Sequence, residues 1–175
     1  MCGIVGYSGV VDRDRLEAAC AAVDHRGPDD VGVYIDPDAA VGLGHRRLSI
    51  LDLSSAGHQP MVSADCAVAL VFNGEIYNFR ELRTDLERQG IAFRGHSDTE
   101  VLLNLYLTDG EAMLSRLNGI FAFALWDRSR QCLLLARDGL GVKPLYFAAS
   151  DNGLVFASEI KGLMQLLPVT GSLDV

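Results

Sequence analysis

No stretch of the sequence approaches the ~20 consecutive apolar residues that a membrane-spanning helix needs. The longest apolar runs are CAVALVF (66–72) and GIFAFALW (119–126). The amino terminus lacks the basic start and apolar stretch of a signal peptide, so a cytoplasmic protein is expected. Cysteine is scarce: Cys2, Cys20, Cys66 and Cys132 form no CxxC pair and no dense framework, which excludes a disulfide scaffold and fits a reducing setting. Cys20 falls on the apolar side of an expected helix, and Cys66 and Cys132 adjoin strand-like runs, so buried or inert thiols are expected there. The longest basic run is HRR (45–47) and the net charge is −8, which argues against a nucleic-acid surface. His25, His45, His58 and His96 lack a ligand spacing such as HxxxH, so they read as structural or loop residues and no metal is expected.

What is present starts at the first residues, MCGIVGYSG. Position 2 of a chain usually sits in a frayed tail. Here Cys2 leads directly into Ile4, Val5 and Tyr7, a short strand entering a core. If Met1 is removed, Cys2 carries a thiol and a free α-amine, a nucleophile and a base on one residue.

The 175 residues, 49% of them hydrophobic, suffice for one domain with a substantial core. Asp12 can cap a helix reaching about Val23, with Leu16, Ala19, Cys20 and Val23 at helical spacing. HRGPDD breaks that pattern. VGVYI and VGLGHRRLSIL read as strands, DLSSAGHQPM as a loop, and AVALVFN as a buried strand ending at a turn at NGE. NFRELRTDLERQG is an amphipathic helix that Gly90 ends. A strand at IAFRG is expected to precede the helix SDTEVLLNLYL, where Ser97 and Glu100 have capping-box spacing. GIFAFALWD, QCLLLARD, PLYFAAS and GLVFASE read as four strands joined by polar or Gly-rich turns, followed by a short helix at SEIKGLMQLL. Strands, helices and strands again, without βαβ alternation, indicate an α+β fold with largely antiparallel sheets.

Three polar clusters accompany Cys2. In GHRRLSIL, Arg46 and Arg47 are neighbours on a strand, so one points inward. An inward arginine suits bidentate binding of a carboxylate, and a surface ion pair is the equal alternative. In FNGEIYN, Asn73-Gly74 is first a turn signal, and it also supplies an amide donor and an open backbone N–H, the parts of an oxyanion hole. In HSDTE, Asp98 suits a helix N-terminus, and it could also bind a ligand ammonium group. Taken together, a nucleophile, an oxyanion hole, an arginine and the carboxylates Glu75 and Asp98 fit a zwitterionic amino acid with a reactive side-chain carbonyl. Glutamine has that shape.

These residues resemble the glutaminase domain of class II glutamine amidotransferases and, within that family, the amino-terminal half of glutamine-hydrolysing asparagine synthetases. MCGIVGY, HRGPDD, GHRRLSILDLS, GHQPM, FNGEIYNFRELR, SDTEVLL, LNGIFAFALWD, ARDGLGVKPLYF and FASEIKGL occur in the family's order along the whole chain. The resemblance implies the N-terminal nucleophile hydrolase fold, a four-layer sandwich with two antiparallel sheets between helical layers. It implies Cys2 as nucleophile, with the Asn73 side chain and Gly74 amide as oxyanion hole. It also implies glutamine binding by Arg47, Leu48, Ile50, Leu51, Asn73, Gly74, Glu75 and Asp98. Gly139 stands where a larger residue is often found, in a segment that is structural or interdomain.

The resembling synthetases continue into an ATP-pyrophosphatase domain with an SGGxDS-type phosphate loop, and no such segment occurs in these residues. The expectation is a glutaminase domain over 1–168, with 169–175 starting the linker to that domain. A stand-alone glutaminase is the alternative. The expected reaction is glutamine hydrolysis through a Cys2 thioester, needing no cofactor. ATP and magnesium are expected only for the synthetase domain, whose partnership on one polypeptide, and a possible homodimer, the resemblance also implies. The competing readings are an amidotransferase with another acceptor and a non-catalytic glutamine-binding or scaffolding module.

Overall fold

The computed structural model describes residues 1–9, 12–49, 55–151 and 153–167. Among them, the chain forms nine strands and four α-helices. The first strand, β1 (Gly3–Gly9), leads to helix α1 (Arg13–Ala22), which Asp12 caps by accepting from the Arg15 N–H at 2.8 Å. A 3₁₀ turn at 24–26 precedes the hairpin β2 (Asp30–Asp36) and β3 (Val41–Arg47). The two-residue β4 (Met61–Val62) and the long β5 (Val68–Ile76) follow. Helices α2 (Phe79–Arg88) and α3 (Asp98–Asp109) come next. The hairpins β6 (Gly119–Asp127) with β7 (Cys132–Arg137), and β8 (Tyr146–Ser150) with β9 (Gly153–Ala157), lead to α4 (Ile160–Leu166).

The strands form two sheets, in the orders β2-β3-β1-β9-β8 and β4-β5-β6-β7, and every pairing is antiparallel. Strand alternation distributes the apolar residues over three cores. Val68, Leu70 and Phe72 of β5, with Phe121, Phe123 and Leu125 of β6, pack under α2 and α3. The intervening Ala69, Val71, Ala122, Ala124 and Trp126 meet Ile4, Val41, Leu43 and Phe156 between the sheets. Val5 and Tyr7 pack with Leu16, Ala19, Cys20 and Val23 of the α1 segment and Leu166 of α4. The result is helix, sheet, sheet, helix: the α+β sandwich that the sequence implies. Gly44 lets α1 settle on β3, since a Cβ there would overlap Cys20 Sγ.

Five expectations are corrected. Asn73-Gly74 is not a turn: β5 runs through it, pairing Asn73 with Ala122 and Gly74 with Phe121, because β6 supplies a partner along the full strand. IAFRG (91–95) forms no strand; Ile91 and Phe93 pack into the core while the Arg94 and Gly95 amides donate to the two carboxylate oxygens of Glu100. Glu100 is therefore not the reciprocal half of a capping box, although Ser97 Oγ does accept from the Glu100 N–H at 3.2 Å. Cys66 is exposed on a turn with φ +59°, not buried, and Cys132 is half-buried. The expected strand VGLGHRRLSIL ends at Arg47; Ile50, Leu51 and the linker 169–175 lie outside the described residues.

Candidate active site

The site forms where the two sheets meet. Cys2 stands two residues before Ile4, and Asn73 two residues after Val71, so alternation puts both on the faces that confront each other. The start of β1 is held firmly. Ile4 donates to Ser158 Oγ at 2.9 Å and accepts from the Ser158 N–H at 2.8 Å. The Cys2 carbonyl accepts from Arg26 Nε at 2.9 Å, and the same guanidinium donates to Glu159 Oε1 at 2.9 Å. The Cys2 thiol faces Leu48: the Leu48 N–H donates to Sγ at 3.5 Å, and Sγ lies 3.8 Å from the Leu48 carbonyl. Burial pushes the thiol pKa up; the Leu48 N–H, the chain's amino terminus and Arg47 pull it down, and Asp98 pushes it up again. The balance is upward, so the thiol stays protonated near neutral pH and needs a base to become a nucleophile.

Across from it, β4 pairs only Leu70 and Ala69, so the edge of β5 beyond them is not covered by a strand. In an antiparallel strand, alternate residues direct their backbone groups to the same edge. The Phe72 N–H donates to Gln59 Oε1 at 2.7 Å, and the Ile76 N–H donates to Asp98 Oδ2 at 3.1 Å. Gly74 lies between them in this series, so its N–H leaves by the same edge, into the cleft it lines. Gly74 must be glycine, because a Cβ would stand 2.5 Å from the Ile120 carbonyl oxygen. The neighbouring Asn73 is 1% exposed, and its Nδ2 is buried without a hydrogen-bond partner. A buried unsatisfied donor carries a cost of about 1–3 kcal/mol. Its presence beside an open N–H marks a place for a ligand oxygen.

The cleft, about 80 Å³, is lined by Cys2, Arg47, Leu48, Gly74 and Asp98 among the expected residues. Arg47 is the inward arginine of the pair: it is buried, whereas Arg46 is half-buried. Burial raises the Asp98 carboxyl, its bonds from Ile76 and Thr99 N–H lower it, and nearby Glu75 raises it; the net direction is up. Glu75 itself is exposed on β5 and does not line the cleft. A larger hollow of about 370 Å³ lies between the 58–64 segment and α3 and shares no lining residue with this cleft.

Sequence reasoning missed three residues of this architecture. Gln59 braces β5 and reaches Thr99 Oγ1 at 3.3 Å through Nε2. Gly57 lies against the Arg47 guanidinium. Arg26 holds the nucleophile's own carbonyl. GHQPM and HRGPDD contain all three, so the signal was a recurring motif with no chemistry yet attached. Among the described residues, no group of three or more His, Cys, Asp or Glu is placed to hold a metal ion, and no helix is long and apolar enough to cross a membrane.

Comparison with known proteins gives, among others, four matches. A family model described as "Glutamine amidotransferase domain" matches residues 1–175. The chain is 43% identical over 171 residues to asparagine synthetase (glutamine-hydrolyzing) 1 of Bacillus subtilis, covering 94% of this chain and 27% of that protein. It is 44% identical over 151 residues to the amidase chyE of Penicillium rubens, covering 86% of this chain and 22% of that protein. The chain thus spans about a quarter of the length of these curated relatives. Among solved structures, glutamine phosphoribosylpyrophosphate amidotransferase from B. subtilis, complexed with ADP and GMP, superposes with a TM-score of 0.79. That likeness covers 94% of this chain and 43% of the other; at 24% identity it is one of fold.

Proposed function

This chain belongs to the glutamine amidotransferase domain family, and from that premise we propose that its Cys2 cleft hydrolyses glutamine to glutamate and ammonia. The observation that carries the reading is the buried, unpartnered Asn73 amide next in sequence to Gly74, which lines one cleft with Cys2. Arg47 takes the α-carboxylate of glutamine, and Asp98, with Glu75 nearby, takes the α-ammonium. The Leu48 backbone faces the reacting end, and Ile50 and Leu51 complete the set of glutamine-binding residues we assign.

Met1 is exposed, and its removal frees the Cys2 α-amine. That amine takes the thiol proton, and Sγ bonds to the side-chain carbonyl carbon of glutamine. The resulting oxyanion meets Asn73 Nδ2 and the Gly74 N–H. The carbon–nitrogen bond then breaks as the ammonium form returns its proton to the departing ammonia. Water adds to the γ-glutamyl thioester, the carbon–sulfur bond breaks, and glutamate leaves with the thiol restored. Each oxyanion donor supplies ~3–4 kcal/mol toward this barrier.

The ammonia feeds an ATP-dependent synthetase domain on the same polypeptide, with asparagine as its product; the B. subtilis synthetase supports this assignment. The similarity to an amidase supports a second reading, in which the ammonia goes to another acceptor. Four free cysteines suit a reducing, cytoplasmic setting. The proposal is tested by acid-quenching the processed protein within milliseconds of mixing with glutamine. A γ-glutamyl adduct on the Cys2 peptide supports it, and an unmodified peptide under turnover conditions contradicts it.

A further inference from the structure

His45 lies two residues before Arg47 on β3 and is enclosed between the sheets. Its β1 neighbour is Ile4, and on the same face of β3 it stands between Leu43, part of the apolar core between the sheets, and Arg47, which lines the cleft. From there its Nε2 crosses to the second sheet and reaches the Phe72 carbonyl oxygen at 3.1 Å. A carbonyl only accepts, so Nε2 carries the hydrogen. Nδ1 is buried without a partner, as suits the bare nitrogen of a neutral ring. Burial drives the pKa down to about 4, against a smaller upward pull from the Phe72 bond, so the ring stays neutral at working pH.

An imidazole with one nitrogen unsatisfied is a poor choice for packing alone, because that nitrogen costs about 1–3 kcal/mol. Its bond falls on a consequential atom. The Phe72 carbonyl belongs to the peptide that carries the Asn73 N–H, immediately before the two oxyanion donors. The Phe72 N–H is held in turn by Gln59, which also contacts Thr99 beside Asp98. The Phe72 N–H and carbonyl are therefore both held, by side chains from two other segments, on the edge of β5 that β4 no longer covers. Resting on the glutaminase reading of the Cys2 cleft, we infer that His45 is a positioning residue: by holding the Phe72 carbonyl it aims the Asn73 amide and the Gly74 N–H at the oxyanion.

Two substitutions separate aim from packing. His45→Leu removes the donor, and His45→Gln keeps an amide N–H at a similar reach. Because a misplacement of about 1 Å can cost about 100-fold, His45→Leu is expected to lower kcat for glutamine hydrolysis about 10- to 100-fold, with KM within about threefold. His45→Gln recovers most of the loss. Since His45 and Gln59 fix the same residue, His45→Leu combined with Gln59→Leu loses less than the product of the single effects. The ¹H–¹⁵N signal of Gly74 reports the same geometry without turnover: it shifts in His45→Leu and returns toward its original position in His45→Gln. A folded His45→Leu protein with unchanged kcat and an unchanged Gly74 signal overturns the inference and leaves the glutaminase reading intact. If the parent protein with free Cys2 does not hydrolyse glutamine, that reading fails, and the Gly74 signal alone decides on His45. If His45→Leu does not fold, Gln59→Leu carries the same expectation, and no change in kcat or in the Gly74 signal overturns it.

Discussion

Gly57 lies so close to Arg47 that a single methyl group on the glycine would overlap the arginine's guanidinium. The group displaced is the far end of a flexible side chain, so Gly57→Ala folds with nearly unchanged thermal stability. The guanidinium, however, leaves the position from which, on the proposed reading, it holds the α-carboxylate of glutamine. A charge-assisted hydrogen bond is worth about 1.5–3 kcal/mol, which predicts a rise in KM for glutamine of about 10- to 100-fold. Steady-state glutamate release checks this, with kcat expected to change little.

Asn73→Ala separates activity from stability. The oxyanion loses a donor, so kcat falls about 10²–10³-fold, with glutamine affinity far less affected. The same change deletes a buried nitrogen that has no partner in the folded protein. Thermal unfolding is therefore expected at the same temperature as the parent or above it. A large drop in stability would mean that the Asn73 amide serves the fold.

His45 makes stability depend on pH. Its folded pKa, pushed down to about 4 by burial, lies below the ordinary value of 6.5. The unfolded chain binds this proton first, so the contribution is complete above pH 6.5 and is lost as pH falls toward 4. At ~1.4 kcal/mol per pH unit, that amounts to roughly 3 kcal/mol. Urea unfolding of the parent and of His45→Gln at pH 7.5 and pH 5 checks the sign: the parent loses more stability on acidification than the variant.

Asp138 organises the loop after β7. Its Oδ1 accepts from the Leu140 and Val142 N–H groups at 3.1 Å each, and its Oδ2 from Phe121 at 3.1 Å and Lys143 at 3.3 Å. Burial raises its pKa, but these four bonds outweigh that and hold it below the usual range. In Asp138→Asn an amide group turns two donors toward backbone donors. Denaturant unfolding is expected to show a loss of about 1–3 kcal/mol, with glutamine KM unchanged because the loop lies outside the cleft.

The antiparallel α+β sandwich was legible because strand alternation, the Asp12 and Ser97 caps and the turn residues are local signals. Cys2, Arg47, Gly74 and Asp98 were grouped through their chemistry, and the structure brings all four to the lining of one cleft. Three features were not legible. Asn73-Gly74 has the composition of a turn, and only its distant partner β6 keeps it extended. Cys66 adjoins an apolar run, yet the turn before β5 leaves it in solvent. Gln59 and His45 carry no signal of their own, because their partner is a backbone group on β5 that becomes available only where β4 stops. Side chains that bind side chains or ligands announce themselves by type; those that bind backbone at a sheet edge depend on tertiary pairing.

The central claim is that Cys2, freed at its amine, is the nucleophile of a glutaminase. The most direct test measures glutamate and ammonia release from glutamine while the mass of the amino terminus is determined on the same sample. The account predicts equimolar release by protein lacking Met1, abolished by Cys2→Ala. Release that persists in Cys2→Ala, or that is absent in protein with a free amino-terminal Cys2, would contradict it.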